Sequence, residues 1–261
     1  MSQEKYQKTI LEEKMKKSAL LFSLLVLGAL LVTACAPKTA KISVATDATF
    51  PPFEYVDEST KELAGFDIDL MNAIAEKAGM EIEWVNQPFD SVLAGVSECQ
   101  YDIAIAAITI TEERMDNMLF SDPYVNAGQI VVVRKDETDI TSIDDLKGKT
   151  VAAQLGTTGE IEAQAIEDVV YKPYDSYDLA MLDLMNGQVD AVIADNPTAE
   201  AFVSQYPDKL MTTGEAFTEE KYGVAFCKTE ADLQKQVNDA LNDLMATGKV
   251  TDLINEWLVT E

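Results

Sequence analysis

Short apolar runs alternate with longer segments of helical periodicity along most of the chain. The apolar runs are typical of β-strands: KISVATD, EIEWV, YDIAIAAITI, QIVVVRK, TVAAQL and VDAVIAD. YDIAIAAITI and VDAVIAD are almost continuously apolar, as strands buried on both faces are. This alternation predicts an α/β fold in which crossover helices join the strands of a sheet, and the chain contains two successive blocks of that kind.

The helical segments carry their own stop signals. GFDIDLMNAIAEKAGM repeats apolar residues at helical spacing, Leu70 and Ile74 among them, and Gly79 is placed to end the helix. The last long segment, ADLQKQVNDALNDLMATGK, keeps an apolar face from Leu233 onwards and stops at Gly248. DSVLAGVSE and GEIEAQAIE are predicted as shorter helices.

The N-terminal segment has the pattern of an export signal. In KMKKSALLFSLLVLGALLVTAC, three lysines precede an apolar run over residues 19–32 and a pair of small residues. The run is shorter than the roughly 20 residues of a membrane-spanning helix, which favours a signal over the alternative of a single spanning anchor. Residues 1–34 are therefore predicted to be removed, and residues 1–14, which precede the positive region, to follow from an upstream misassigned start.

The segment VTAC at the end of the signal resembles the bacterial lipobox. That resemblance implies that Cys35 is lipidated and becomes the mature N-terminus, with residues 35–40 as a tether to the membrane. Two further cysteines, Cys99 and Cys227, then face an oxidising compartment, where either a disulfide or two buried thiols is compatible with the sequence.

Composition narrows the class of partner. The chain has 261 residues, of which 47% are hydrophobic, so it can bury a substantial core. It carries 46 acidic against 20 basic side chains and no histidine, for a net charge of -26. No basic patch is available to displace counterions from phosphates, which argues against a nucleic-acid partner. An acidic protein favours a cationic small ligand.

Polar clusters follow the apolar strands at four places: VATDATFPPFEY, AITITEER, QLGTTGE and ADNPTA. Ligands of open α/β sheets bind outside the carboxyl ends of the strands, so these clusters are the candidate site. In QLGTTGE, Thr157 and Glu160 have the spacing of a capping box, which places a helix start there. The free N–H groups of that start can bind a carboxylate, although an ordinary helix start without a ligand has the same sequence.

AITITEER ends in Arg114, one of only two arginines in the chain. Thr109 and Glu112 repeat the capping-box spacing and place Arg114 in the first turn of a helix, where the macrodipole does not favour a cation. A guanidinium at this position can form a bidentate pair with a bound anion. Pairing with Glu112, Glu113 or Asp116 on the helix surface is the alternative.

Six motifs in order resemble those of the extracellular solute-binding proteins of family 3, the polar amino-acid receptors of ABC importers. They are ATDATFPPFEY, GFDIDL, YDIAIAAITITEER, FSDPY, GKTVAAQLGTTGE and VDAVIADNP, and the resemblance runs from residue 41 to the C-terminus. It implies a monomer with a two-lobed α/β fold of the type II periplasmic-binding-protein kind, each lobe a mostly parallel sheet flanked by helices. Lobe 1 would comprise residues 41–123 and 223–261, lobe 2 residues 129–217, and the hinges residues 124–128 and 218–222.

The resemblance also assigns roles to individual residues. Arg114 matches the arginine that binds the α-carboxylate of the ligand. Thr109 would add hydroxyl and backbone contacts to that carboxylate, and Thr158 its amide. Asp195 would accept hydrogen bonds from the α-ammonium group. Together these four residues would recognise the backbone of an amino acid.

Other matching positions face the side chain of the ligand. Phe50 and Phe89 would sandwich it, unless they are ordinary core residues, and Asp47 would bind its far end. Gln154 stands where glutamine-binding members often have lysine, so a cationic ligand is not repelled. These features favour arginine, lysine or ornithine, with glutamine or another polar amino acid as the alternative. Ala107 departs from the glycine of many relatives, which could shift a backbone contact.

The resemblance implies a receptor without enzymatic activity, cofactor or metal, anchored by lipid on the periplasmic side or the outer face of the membrane and delivering its ligand to ABC permease subunits. Two other classes are weighed. A cyclohexadienyl-dehydratase-like enzyme on the same fold would need a general acid, and no motif marks one. The input domain of a membrane sensor would need a downstream spanning helix. The family fold would also run YGVAFCK antiparallel to YDIAIAA, bringing Cys227 towards Cys99 away from the cleft.

Overall fold

The computed structural model describes residues 41–259, which form two α/β lobes. In chain order the strands are β1 (Ile42–Thr46), β2 (Thr49–Phe50), β3 (Glu54–Val56), β4 (Leu63–Ala64), β5 (Ile82–Asn86), β6 (Ile103–Ala104), β7 (Met118–Phe120), β8 (Val125–Ala127), β9 (Gln129–Arg134), β10 (Thr150–Gln154), β11 (Val170–Tyr174), β12 (Ala191–Asp195), β13 (Leu210–Thr213), β14 (Glu220–Tyr222) and β15 (Ala225–Cys227). The helices are α1 (Phe66–Ala78), α2 (Phe89–Ser97), α3 (Glu112–Asn117), α4 (Thr158–Ala165), α5 (Tyr177–Met185), α6 (Asn196–Gln205), α7 (Ala231–Ala246) and α8 (Lys249–Trp257).

Each lobe is built on one five-stranded sheet. The order is β5-β1-β6-β15-β7 in the first lobe and β11-β10-β12-β9-β13 in the second. In each sheet a single strand, β15 or β9, runs antiparallel to its two neighbours while the other four share one direction. The predicted fold of two mostly parallel sheets is confirmed, and the carboxyl ends of the parallel strands define one edge in each lobe.

Helices cover both faces of each sheet because successive strand residues point to opposite sides. Val44 packs with α1 and α7, whereas the next residue, Ala45, packs with α2. In the second lobe, Ile193 packs with α4 and its neighbour Val192 with α5 and α6. Burial on both faces explains why these strands are nearly continuous apolar runs in the sequence.

Two short strands, β8 and β14, connect the lobes. They pair antiparallel, with Val125 opposite Tyr222 and Ala127 opposite Glu220. The strands lie within the segments 124–128 and 218–222. The two connections therefore run side by side, so the lobes are joined along one narrow ribbon. The residue bounds of the lobes and hinges stay a prediction.

The strand predicted for YDIAIAAITI is much shorter in the structure. Regular pairing covers only Ile103 and Ala104, after which the backbone turns at Ala107, whose φ is 47°. The amide of Ala107 donates to the carboxylate of Asp67 at 2.7 Å instead of to a neighbouring strand. A tertiary contact therefore ends the strand, although the residues that follow are apolar.

Cys99 and Cys227 form a disulfide in the structure, with their Cα atoms 4.9 Å apart. Cys99 follows α2, and Cys227 ends β15 beside the start of β6, so the disulfide lies at the end of the sheet opposite the carboxyl ends of its parallel strands. The predicted signal segment 1–34, the lipidated Cys35 and the tether 35–40 lie outside the described residues. Within residues 41–259, no helix is long and apolar enough to cross a membrane.

Candidate ligand-binding cleft

The carboxyl ends of β1, β6, β10 and β12 meet at a cavity between the lobes. Nine residues line it: Phe50, Phe89, Ala106, Ala107, Thr109, Arg114, Thr157, Thr158 and Asp195. Seven of them are among the predicted site residues, and the other two predicted residues, Asp47 and Gln154, bond to each other across the lobes. The structure therefore brings the predicted residues to one place, although they come from five separate segments of the chain.

Arg114 joins the two lobes through its guanidinium group. Nη1 donates to the Thr109 carbonyl and Nη2 to the Gly156 carbonyl, each at 2.8 Å, and Cζ lies 5.6 Å from the centre of the Phe89 ring. Among residues 41–259 it forms no salt bridge, so the predicted alternative of an ion pair on its own helix is wrong. Burial lowers the pKa of Arg114 from its ordinary value, because a desolvated cation without a paired anion is disfavoured.

Helix α3 begins two residues later than its sequence predicts. Its cap is Thr111, whose hydroxyl accepts from the Arg114 amide at 3.2 Å, so the predicted capping box of Thr109 and Glu112 is wrong. The hydroxyl of Thr109 instead donates to Glu220 at 2.6 Å. The Thr109 side chain, which the local spacing predicted as the helix cap, therefore binds a carboxylate that is distant in the sequence.

Helix α4 begins in the second lobe, at the cavity. Thr157 caps it by accepting from the Glu160 amide at 3.2 Å, as predicted. The Glu160 carboxylate departs from the predicted box and accepts from the Gly156 amide at 2.7 Å. The amides of Thr158 and Gly159 have no helical carbonyl one turn earlier, which leaves partially positive N–H groups at the cavity wall.

Asp195 is a buried carboxylate at the end of β12. It accepts hydrogen bonds from Gln129 Nε2 at 2.5 Å and from the Tyr222 hydroxyl. The pKa of Asp195 is raised to about 7, mainly by burial and also by the nearby Glu220 carboxylate, against the lowering effects of its hydrogen bonds and of Arg114. Gln129 opens β9, the neighbour of β12 in the second sheet, whereas Tyr222 lies in the connecting strand β14, so one of the two contacts links Asp195 to the lobe crossing.

The far end of the cleft is closed by a contact between Asp47 and Gln154. Gln154 Nε2 lies 2.6 Å from Asp47 Oδ2 and 3.0 Å from the carbonyl oxygen of Asp175. Burial raises the pKa of Asp47 to about 6, against the lowering effect of its hydrogen bonds from Thr49 and Gln154. A carboxylate from one lobe and an amide from the other thus meet where a ligand side chain would end.

Phe50 and Phe89 were predicted either to contact a ligand or to be ordinary core residues, and their positions are compatible with both. They line the cavity, yet they are only 6% and 7% exposed and belong to the cores beside it. The Phe50 ring also lies 5.5 Å from that of Tyr177, which comes from the other lobe. Aromatic packing across the cleft therefore contributes to the closed arrangement of the lobes.

Ala107 holds a left-handed backbone conformation at the cavity, with φ at 47°. Glycine adopts this region without steric cost, whereas alanine does not. This geometry explains why a glycine is at home at this position, and the Asp67 carboxylate bonded to the Ala107 amide offsets part of the strain.

Three polar residues of the site were missed in the sequence: Gln129, Glu220 and Tyr222. Glu220 and Tyr222 are buried on either side of the exposed Lys221. Two polar residues with strand spacing on a buried face would have been a usable signal. Gln129 offers no comparable signal, because it opens an otherwise apolar strand. Among residues 41–259, no cluster of three or more potential ligands could hold a metal ion.

Comparisons with known proteins agree with this architecture. Residues 42–260 match the profile of the bacterial extracellular solute-binding proteins, family 3. The chain is 33% identical over 242 residues to the ABC transporter arginine-binding protein 1 of Escherichia coli (strain K12), covering 89% of this chain and 98% of that one. It is 34% identical over 216 residues to the L-cystine-binding protein TcyJ of the same strain, covering 82% and 81% respectively.

A solved structure gives the same result in three dimensions. An ancestral arginine-binding protein bound to arginine superposes with a TM-score of 0.81 at 40% identity, covering 84% of this chain and 98% of the other. The family profile covers nearly all the described residues. It agrees with the two sheets, each with one reversed strand, and with the cavity between them. The chain belongs to the bacterial extracellular solute-binding proteins of family 3.

Proposed function

We propose that this protein is the extracytoplasmic receptor of an ABC importer and that it binds a basic amino acid, namely arginine, lysine or ornithine, between its lobes. The observation that carries the proposal is the placement of anion-binding groups at one end of the cavity and buried carboxylates beside them. An α-amino acid presents the matching pair of charges on two groups bonded to the same carbon atom.

The α-carboxylate binds at Arg114 and the start of α4. In the closed protein the two terminal nitrogens of Arg114 donate to carbonyl groups of Thr109 and Gly156, and their remaining N–H bonds are free for a carboxylate. The amides of Thr158 and Gly159 add donors from the other lobe, favoured by the helix macrodipole. The carboxylate therefore bridges the lobes.

The α-ammonium group binds at Asp195. This carboxylate is 3% exposed and close to the carboxylate of Glu220, so a cation that enters beside it relieves unfavourable burial of negative charge. The ligand favours the ionised form of Asp195, since an opposite charge within contact distance lowers the pKa of a carboxyl group.

The side chain of the ligand extends between Phe50 and Phe89 towards Asp47. A guanidinium or ammonium group gains cation–π energy from the rings and pairs with the carboxylate at the far end. Gln154 places a neutral amide beside Asp47, so no positive charge of the protein repels a cationic ligand there. The relative named for arginine supports this ligand class, and the relative named for cystine indicates how far specificity varies at similar sequence distance.

Ligand binding stabilises the closed arrangement because its contacts come from both lobes. Lobe 1 comprises residues 41–123 and 223–261, lobe 2 residues 129–217, and opening occurs about residues 124–128 and 218–222. The signal segment 1–34 is removed, and lipidation of Cys35 anchors the protein to the membrane through the tether 35–40. The closed protein then delivers its ligand to the permease subunits.

The ligand class is tested with a thermal-shift panel of the twenty amino acids and ornithine. The protein starts at residue 35 and carries Cys35→Ser, which removes the lipid anchor. A ligand at 100 times its Kd adds about 2.7 kcal/mol of stability. We expect the largest shifts with arginine, lysine or ornithine. A larger shift with glutamine or cystine would replace the basic ligand with that one. No shift with any amino acid, together with turnover of prephenate or arogenate, would identify an enzyme instead.

Asp47→Asn tests the assignment of the far end. The substitution keeps the size of the side chain but removes its charge and replaces one of its two acceptor oxygens with an NH2 donor. We expect affinity for basic amino acids to fall about tenfold, the equivalent of about 1.4 kcal/mol, while any binding of glutamine changes little. Glu58→Gln is the matched control, because it removes an exposed charge from the same region. Equal loss of affinity for basic and neutral ligands would place Asp47 outside the specificity site.

A further inference from the structure

Glu220 is a buried carboxylate in β14, one of the two strands that connect the lobes, and it is 8% exposed. Its Oε2 atom accepts a hydrogen bond from the Thr109 hydroxyl at 2.6 Å and another from the Thr158 hydroxyl at 2.9 Å. Its Oε1 atom accepts from the Thr218 hydroxyl at 3.0 Å. No residue of this set except Thr109 and Thr158 lines the cavity.

The two threonines belong to different lobes. Thr109 follows the central strand of the first sheet, and Thr158 is the first residue of α4 in the second lobe. One carboxylate oxygen therefore holds a hydroxyl from each side of the cleft. Separating the lobes must lengthen at least one of these hydrogen bonds, because the two hydroxyls move apart while Glu220 stays on the connecting ribbon.

We propose that Glu220 is a positioning residue that stabilises the closed cleft by accepting hydrogen bonds from Thr109 and Thr158 at the same time. The inference rests on the proposed function, since it concerns the closure that holds the ligand. It assigns Glu220 an action through the two threonines rather than through contact with the ligand. A hydrogen bond to an ionised acceptor is stronger than one between neutral groups, so a carboxylate suits this role better than an amide.

The same contacts decide which atoms of the threonines face the ligand. Each hydroxyl has one proton, and in both threonines it points to Glu220. The ligand carboxylate therefore receives backbone N–H groups from Thr109 and Thr158 and not their hydroxyl protons. This differs from the hydroxyl contact that the family resemblance implies for Thr109.

The hydrogen bonds continue from Thr158 to the ammonium site. Gln129 Nε2 donates to the Thr158 hydroxyl oxygen at 3.1 Å and to Asp195 Oδ1 at 2.5 Å. Because the Thr158 proton is directed to Glu220, its oxygen is available to accept from Gln129. Glu220 thus fixes the direction of a chain of hydrogen bonds that ends on Asp195. Its loss affects the contacts of both the α-carboxylate and the α-ammonium group of the bound amino acid.

Glu220→Gln is the first test, with Glu219→Gln as the matched control. Both variants remove one negative charge from β14 and its flank, but Glu219 is exposed. Ligand affinity is measured by calorimetry, and lobe closure by small-angle scattering of the ligand-free and arginine-saturated protein. We expect Glu220→Gln to weaken affinity about tenfold and to increase the radius of gyration of the ligand-free protein, and Glu219→Gln to change neither. Equal behaviour of the two variants would overturn the proposal.

A double-mutant cycle separates the proposed role from a general loss of stability. Thr158→Val removes the hydroxyl and leaves Glu220 in place, whereas Thr158→Ser keeps the hydroxyl. We expect Thr158→Val to weaken affinity more than Thr158→Ser does, because only serine keeps the hydroxyl, and the double variant of Thr158→Val with Glu220→Gln to lose less than the sum of the single losses. Strictly additive losses would contradict the bridging role.

If Glu220→Gln fails to fold, the comparison of Thr158→Val with Thr158→Ser supplies the same test of the hydrogen bond. The scattering of the ligand-free protein also distinguishes a failure of the proposed receptor function from a failure of the proposed role of Glu220. A wild-type protein that binds no amino acid overturns the proposed function, whereas the radius of gyration of the variants without ligand still supports or overturns the bridging by Glu220.

Discussion

Arg114 is one of only two arginines in the chain, and its contacts explain why it stands at the cavity. Its guanidinium donates to one carbonyl in each lobe and forms no salt bridge among residues 41–259, although the chain carries a net charge of -26. An unpaired, largely desolvated cation is unfavourable in the ligand-free protein. A ligand carboxylate removes that cost, so part of the affinity comes from a destabilised binding group.

Arg114→Lys tests this explanation with the charge retained. Lysine is a point charge and cannot make the two carbonyl contacts and a bidentate carboxylate pair together. We expect ligand affinity to fall at least about tenfold. Arg134→Lys is the control, because Arg134 binds the Val189 carbonyl at 2.8 Å, away from the cavity, and its loss leaves affinity unchanged. Full affinity of Arg114→Lys, measured by calorimetry, would show that a positive charge alone suffices.

At the scale of elements, the start of α4 is placed by close contact with its sheet. Gly159 lies so near β12 that an added Cβ would meet the Ile193 carbonyl oxygen at 3.0 Å and Gln129 Oε1 at 2.8 Å. Glycine therefore permits the approach of the helix that brings its amides to the cavity wall. The predicted cap at Thr157 sets where the helix begins, and this packing sets where its positive end points.

Gly159→Ala should lower both stability and affinity. Alanine is the better helix former by up to about 1 kcal/mol, but overpacking typically costs about 1–3 kcal/mol. Movement of Gln129 would also disturb its hydrogen bond to Asp195. Urea unfolding and calorimetry measure the two effects, with Gln164→Ala on the exposed face of α4 as the control. A stabilised Gly159→Ala protein would show that helix propensity outweighs the contact.

At the scale of the whole molecule, several buried carboxyl groups are arranged around the cleft and the lobe crossing. Burial raises the pKa of Asp47 to about 6 and those of Asp67 and Asp195 to about 7, and burial raises the pKa of Glu54 well above its usual value. Asp67 joins the cleft to the crossing, since it accepts from the Ala107 amide and from the Tyr124 hydroxyl at 2.8 Å. The folded protein therefore holds protons that the unfolded chain releases at lower pH.

This arrangement predicts that the ligand-free protein is less stable at pH 8 than at pH 5. A carboxyl group with a raised folded pKa stabilises the fold below its unfolded pKa, and that contribution is lost as pH rises through the folded value, here between about 4 and 7. Asp57, whose pKa its turn hydrogen bonds lower to about 2, acts in the opposite sense only below that window.

Ligand changes the sign of part of this dependence. Because the ammonium group favours ionised Asp195, the stability gained from a saturating basic amino acid should grow from pH 5 to pH 8. Urea unfolding at both pH values, with and without ligand, measures the two trends. Asp195→Asn should reduce the growth of the ligand effect to the part that Asp47 contributes by pairing with the cationic side chain. A ligand-free protein that is more stable at pH 8 than at pH 5 would show that these carboxyl groups are ionised in the folded protein without a loss of stability.

Local sequence patterns were enough to predict the two α/β blocks, the strand ends that form the site, the helix start at Thr157 and the position of Arg114 in a first turn. These are local properties, because side-chain period, caps and strand ends are set within a few residues. The motifs also carried the family resemblance, which the family profile and the fold confirm.

The partner of each polar group, by contrast, depends on the tertiary fold. Thr109 and Glu220 are 111 residues apart in the chain, and Thr158 and Glu220 are 62 apart, so no local pattern joins them. Because Glu220 takes the Thr109 hydroxyl, Thr111 caps α3, and because Asp67 takes the Ala107 amide, β6 ends early. Burial is the physical reason, because most polar groups removed from water are satisfied by the groups that the fold places beside them.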